Sequence, residues 1–141
     1  MNQRRFSAVV PVVSEAVAWA RARADDAGLP EARGLDLELA VEEVLMNICL
    51  HAYGGQGGDV DLSAGRSAEG FVLELEDSGP AFDPVAAAEP DTTLPLEERK
   101  IGGLGILLVK RVTDTVRWRR EGDRNVLTLV SELEGVPVSA A

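Results

Sequence analysis

Glu42-Glu43-Val44-Leu45-Met46-Asn47-Ile48-Cys49-Leu50-His51-Ala52-Tyr53 carries two patterns at helical spacing, and they run side by side. Leu37, Val41, Val44, Ile48 and Ala52 recur every three or four positions. This predicts an amphipathic helix over residues 36–53, with Asp36 as N-cap and Gly54-Gly55 ending it. Glu43, Asn47 and His51 are four apart, so on a regular helix they form a stripe in steps of about 40° beside the apolar face. Glu43 and Asn47 then lie at the border of the core, where a carboxylate is partly desolvated. Such a carboxylate suits a general base, and an amide oxygen one turn on suits a hard cation such as Mg²⁺. On spacing alone the plainer account is a solvated helix edge with a Glu–Asn hydrogen bond, and for His51 a buried or edge-packed ring.

Upstream, Phe6, Ala8 and Val10 alternate with Ser7 and Val9 up to Pro11, which predicts a short edge strand. Residues 12–27 place Val13, Ala16, Val17, Ala20 and Ala24 on one helical face, and Gly28 and Pro30 stop that helix. Downstream, Val60, Leu62 and Ala64, a turn near Gly65, and Phe71, Leu73 and Leu75 predict two antiparallel strands. Residues 83–100 hold three prolines and no sustained period; loops beyond about 12–15 residues are uncommon, so this one is a lid candidate. Gly102-Gly103-Leu104-Gly105 opens a third helix with Ile106 to Val109 and Val112 on its buried side. A last hairpin alternates Val116 and Trp118 with Arg117 and Arg119, turns at Gly122-Asp123 and returns over 126–130, leaving 135–141 as a frayed tail. The fold class expected is α+β: a mainly antiparallel sheet with helices on one face, a single domain across residues 1–141.

Composition narrows the function. A length of 141 residues fits one domain of about 150, and 45% hydrophobic with 27% charged residues describes a packed core rather than a disordered tail. The chain has 14 basic against 24 acidic residues, net −10, and Lys100 and Lys110 are its only lysines. Phosphate neutralisation supplies most nucleic-acid affinity, so no direct nucleic-acid partner is expected. Cys49 is the sole cysteine, which excludes an intrachain disulfide and a thiolate metal cluster and fits the cytoplasm. No run approaches the roughly 20 apolar residues of a membrane span. Arg4-Arg5 before Phe6 faintly mimics a leader, but Pro11, Glu15, Arg21 and Arg23 interrupt it, and an edge strand is the reading adopted.

Two further motifs could carry chemistry. Asp77-Ser78-Gly79-Pro80-Ala81-Phe82-Asp83-Pro84 follows the strand ending near Leu75. A strand-end aspartate can accept from an exocyclic amine, and Gly79 lets a flat ring approach the backbone, as adenine requires. An ordinary Asp-x-Gly turn explains the same residues. Gly102-Gly103-Leu104-Gly105 offers unpaired amides at a positive helix end, which suits a phosphate chain. It lacks the Gly-Lys-Ser/Thr of a Walker A loop and the strand context of a Rossmann site, and a simple glycine-rich helix entry is equally compatible.

The order of these motifs resembles the asparagine box and two glycine boxes, with a lid between them, of the GHKL (histidine kinase-like) ATPase superfamily. Within it, Glu42 to Tyr53, Asp77 to Pro84 and Gly102 to Lys110 look like the small bacterial anti-sigma factor serine-protein kinases of the RsbW and SpoIIAB type. The resemblance covers about residues 6–133 and implies the two-layer α/β sandwich known as the Bergerat fold. It implies Glu43 as general base, Asn47 as Mg²⁺ ligand, Asp77 as the aspartate recognising the adenine amino group, and Gly79 as the glycine beside the base. It further implies Gly103 and Gly105 as phosphate-holding glycines of the second box, and Thr128 as a hydroxyl supporting the aspartate through water. Arg99 and Lys100 stand where γ-phosphate contacts from a lid are expected. The implied activity is ATP-dependent phosphorylation of a small anti-anti-sigma (STAS-domain) protein, with ATP/ADP and Mg²⁺ as cofactors. A sigma factor or comparable regulator is the alternate partner, and a homodimer is a further implication. Residues 83–100 contain no basic motif of the kind the family's lid requires. A nucleotide-holding partner-switching module that transfers nothing is therefore the alternative, and an unrelated α+β domain a third.

Overall fold

Alternating apolar side chains build one five-stranded sheet, which a computed structural model describes together with its helices over residues 1–53, 57–83 and 108–133. The strands are β1 (Asn2–Ser7), β2 (Asp59–Ser67), β3 (Gly70–Asp77), β4 (Thr115–Glu121) and β5 (Arg124–Ser131), in the spatial order β1-β2-β3-β5-β4 with every neighbour antiparallel. Helices α1 (Val13–Asp26) and α2 (Glu31–Asn47) cover one face. Phe6, Leu62, Leu73, Leu75 and Leu129 of the strands pack with Ala20, Leu37, Val41 and Val44 of the helices in one core. This is the α+β, mainly antiparallel architecture expected.

Local departures have physical causes. β1 is an edge strand but ends at Ser7, because Pro11 sits in a 3₁₀ turn, Val10–Val12, that turns Val10 out to solvent and leads into α1. α2 begins at Glu31 rather than at Asp36, with Pro30 in extended geometry at the N-cap position. Gly34 lies within it because α1 passes close by: a Cβ there would stand 2.6 Å from Arg21 Nε. The Arg21 guanidinium binds Asp25 on its own helix and Glu31 and Glu38 on α2, tying the two helices together. β2 runs through Gly65 to Ser67, so its turn to β3 falls at Ala68-Glu69 instead. The final hairpin has the two-residue Gly122-Asp123 turn, with Gly122 at φ +58°. Residues 108–112 are helical with Val109 fully buried, while the start of that helix, the lid candidate beyond Asp83, Gly54-Gly55 and the tail 135–141 fall outside the described residues. No helix among the described residues is long and apolar enough to cross a membrane.

The face of the sheet away from α1 and α2 carries paired charges. Asp61 accepts from both Arg5 and Arg124, Arg124 also binds Glu76, Arg119 binds Glu74, and Arg117 binds Glu69. The Arg5 hydrogen bond lowers the Asp61 carboxyl against the opposing effect of burial, with the charges of Arg5 and Arg124 adding to it. Burial alone raises Glu74, but hydrogen bonds from Arg119 and Thr128 outweigh it and hold that carboxyl below its ordinary range.

Candidate functional site

Strand parity decides which polar groups meet. On β3, Phe71, Leu73 and Leu75 point to the helices, so Asp77 points the same way at the strand's end. Its register partner on β5 is Asn125, on the same face as Leu127 and Leu129. Both are buried, each 6% exposed. Asp77 Oδ1 accepts from the Gly79 amide at 2.9 Å and from Asn125 Nδ2 at 3.0 Å, whereas Oδ2 has no donor among the described residues. Asn125 holds the whole turn. Its Nδ2 also donates to the carbonyls of Pro80 (2.9 Å) and Gly79 (3.4 Å), and its Oδ1 accepts from Phe82 N (3.3 Å), Trp118 Nε1 (3.2 Å) and Arg120 Nη1 (3.2 Å). Arg120 Nη1 donates in addition to the Gly79 carbonyl at 2.9 Å.

The long helix reaches this turn. After Asn47 the helix continues as one π-helical turn, Ile48–Ala52, a geometry found disproportionately at functional sites. Ala52 packs on Gly79: a Cβ on that glycine would stand 2.8 Å from Ala52 Cβ and 3.0 Å from its carbonyl oxygen. Tyr53 fastens the junction, donating through its hydroxyl to the Asp59 carbonyl (2.7 Å) and accepting from the Ser78 amide (2.8 Å), with its ring against Gly58. The segment that begins at Asn47 thus abuts the turn that follows Asp77. Glu43, one α-helical turn earlier, and Asn47 are both half-buried at the border of the core face, as their spacing implies.

The remaining residues fall elsewhere. His51 is exposed rather than packed, the wider π turn having carried it off the regular stripe. Thr128 does not reach Asp77: it pairs with Glu74 on the opposite face of the sheet and donates to Glu74 Oε2 at 2.9 Å. The side chain that supports Asp77 is Asn125, three positions earlier, and it does so directly. Gly103, Gly105, Arg99 and Lys100 lie outside the described residues. Asn125, Arg120 and Tyr53 were missed as site residues. A polar residue on the same alternation as Leu127 and Leu129, two positions after the Gly122-Asp123 turn, was the available signal for Asn125.

A family model for the histidine kinase-like ATPase domain matches residues 6–131. The chain is 30% identical over 96 residues to the serine/threonine-protein kinase BtrW of Bordetella bronchiseptica, a match covering 67% of this chain and 68% of that protein. It is 31% identical over 90 residues to the serine-protein kinase RsbW of Halalkalibacterium halodurans, covering 61% of this chain and only 55% of that one. Among solved structures, the histidine kinase AdeS of Acinetobacter baumannii superposes with a TM-score of 0.52 at 17% identity, over 96% of this chain and 69% of AdeS. The SiaB-SiaC complex from Pseudomonas aeruginosa gives 0.52 at 15% identity, over 89% of this chain and 87% of the matched one. These two likenesses concern the fold.

Proposed function

For a chain that belongs to the histidine kinase-like ATPase domain family, we propose an ATP-dependent serine-protein kinase that acts in partner switching. It phosphorylates a small STAS-domain antagonist and, in its other state, binds a sigma factor or a comparable regulator. The observation that carries the nucleotide reading is the Asp77 carboxylate. It is buried at a strand end, its Oδ1 accepts from two N–H donors, and its Oδ2 has no donor among the described residues and can accept one more. A buried carboxylate so arranged matches an exocyclic amine, and the adenine amino group is the one the family fold presents. Gly79 lets the turn pack directly under Ala52 without crowding the carboxylate: a Cβ there would stand 3.0 Å from Asp77 Oδ1.

ATP with Mg²⁺ supplies the transferable phosphoryl group and neutralises its charge. Among the described residues no three acidic, histidine or cysteine side chains gather as a metal cluster. Asn47 would offer one amide oxygen to Mg²⁺, an oxygen donor of the kind a hard cation takes. In this reading Asn47 would hold the metal, Glu43 would accept the proton of the attacking serine hydroxyl, and Asp77 with Gly79 would fix the adenine. By the resemblance Gly103 and Gly105 would offer backbone amides to the phosphates and Arg99 or Lys100 would contact the γ-phosphate; all four lie outside the described residues. The similarity to BtrW and RsbW, both named as protein kinases, supports this reading. The absence of a basic motif in the 83–100 sequence favours the second reading, a module that holds nucleotide and transfers nothing.

Incubation with Mg²⁺, γ-labelled ATP and a STAS-domain antagonist separates the two. Transfer to a serine that falls by about 100-fold or more in Glu43→Ala, the usual weight of a general base, supports the kinase. ADP binding without transfer by the wild type supports the switch module.

A further inference from the structure

The outward face of α2 carries two exposed leucines, a half-buried methionine and one carboxylate, where a solvent-facing helix is normally polar throughout. Leu35, Leu39, Glu42 and Met46 stand at i, i+4, i+7 and i+11, which at 100° per residue confines them to an arc of about 60° opposite the buried Leu37, Val41 and Val44. Leu35 and Leu39 are 54% and 44% exposed. This stripe runs into a groove of about 600 Å³ between the first turns of α1 and the middle of α2. Val10, Pro11 and Val17 form one wall; Met46, Glu38 and Glu42 form the other. Glu38 shares the Arg21 guanidinium, while Glu42 is exposed and has no cation within ion-pair distance among the described residues. An apolar channel with carboxylates along one rim, on a chain of net charge −10, complements a ligand that is apolar on one side and cationic beside it.

We propose that this face docks a helical segment of a partner protein, with apolar residues at i, i+4 and i+7 and lysine or arginine flanking them. The width of the stripe, one helix face, and its length of three turns match the helix-in-groove mode of recognition. A membrane surface is disfavoured because anionic headgroups meet Glu38 and Glu42, and a second copy of this chain brings the same carboxylates to the contact. The proposal does not depend on nucleotide binding: no residue of the stripe or groove belongs to the Asp77 turn or to Glu43 and Asn47.

The test is fluorescence anisotropy of a labelled 18-residue peptide, leucines at i, i+4, i+7 and i+11 with flanking lysines, titrated with the full chain. Two control peptides replace the lysines by glutamate or the leucines by serine. Saturable binding of the lysine peptide alone is expected, weakened at least about tenfold by Leu39→Asp and by Glu42→Lys, changes at exposed positions that leave the core intact. No saturable binding by the wild type, equal binding of either control, or binding unaffected by both substitutions overturns the proposal. So does sedimentation showing a wild-type dimer that Leu39→Asp dissociates, since the face is then already covered by its own copy.

Discussion

Removing the Asn125 side chain probes the site at the point where most of its polar groups meet. Asn125→Ala deletes six hydrogen bonds, of which the two at 2.9 and 3.0 Å, to Pro80 and Asp77, have full-strength geometry and the four at 3.2 to 3.4 Å are longer. Asp77 Oδ1 keeps the Gly79 amide and the Gly79 carbonyl keeps Arg120, so only part of the network is stranded. A buried group left unsatisfied costs about 1–3 kcal/mol, which for the Pro80 carbonyl, the Trp118 N–H and the weakened Asp77 contact sums to about 2–4 kcal/mol, partly relieved by water at the turn. In a chain of this size that lowers Tm by about 10 °C. With its carboxylate no longer held, Asp77 should lose Mg-ADP affinity by about tenfold or more. Thermal melts and isothermal titration read the two effects. Asn125→Asp sharpens the test: it replaces the Nδ2 donor 3.0 Å from Asp77 Oδ1 by a second carboxylate of like charge, so ADP affinity should fall at least as far as in Asn125→Ala. An Asn125→Ala protein within about 0.5 kcal/mol of wild type, binding ADP equally well, refutes the claim that Asn125 organises the site.

Tyr53→Phe removes the hydroxyl shared by Asp59 and Ser78 and keeps the ring on Gly58, so a loss of about 1–2 kcal/mol in chemical denaturation is expected, and none if the hydroxyl is incidental. Gly79→Ala forces its Cβ against the Ala52 backbone and should weaken ADP binding by about 1–3 kcal/mol while leaving the α1–α2 contacts intact; unchanged calorimetry contradicts the close approach. Asp61, Glu69 and Glu74 are held below the ordinary carboxylate range by Arg5, Arg117 and Arg119, so the stability they add is complete above an unfolded pKa of about 4 and is lost as pH falls through their lower folded values. Tm should hold down to about pH 5 and fall below about 4, less steeply in Asp61→Asn; parallel profiles of the two proteins count against that network.

The architecture was legible because it rests on periodicity. Ala16, Ala20 and Ala24 mark α1, and Phe71, Leu73 and Leu75 mark β3, by spacing that survives folding unchanged. The start of α2 was not legible: Pro30 reads as the stop of the first helix and Asp36 as the next N-cap, whereas Pro30 sits at the N-cap position of α2 and Arg21 of α1 crosses at Gly34 inside it. Glu43 and Asn47 could be placed at the core border from helical geometry, whereas the exposure of His51 follows from a π turn that no local residue type announces. Assigning Thr128 to Asp77 failed on register. The turn at Gly122-Asp123 pairs Glu121 with Arg124 and puts Asn125 opposite Asp77, which leaves Thr128, three positions on, facing the other side of the sheet.

Calorimetric titration of the full chain with Mg-ADP, wild type beside Asp77→Asn, addresses the central claim most directly. One-to-one binding is expected for the wild type, with Mg-GDP, whose base presents an oxygen in place of the amine, binding far more weakly. Asp77→Asn should lose about 1–3 kcal/mol, or roughly 5- to 150-fold in affinity, without a matching loss of Tm. Wild-type binding that Asp77→Asn leaves untouched, or no heat with ADP at all, contradicts an adenine-reading role for this carboxylate.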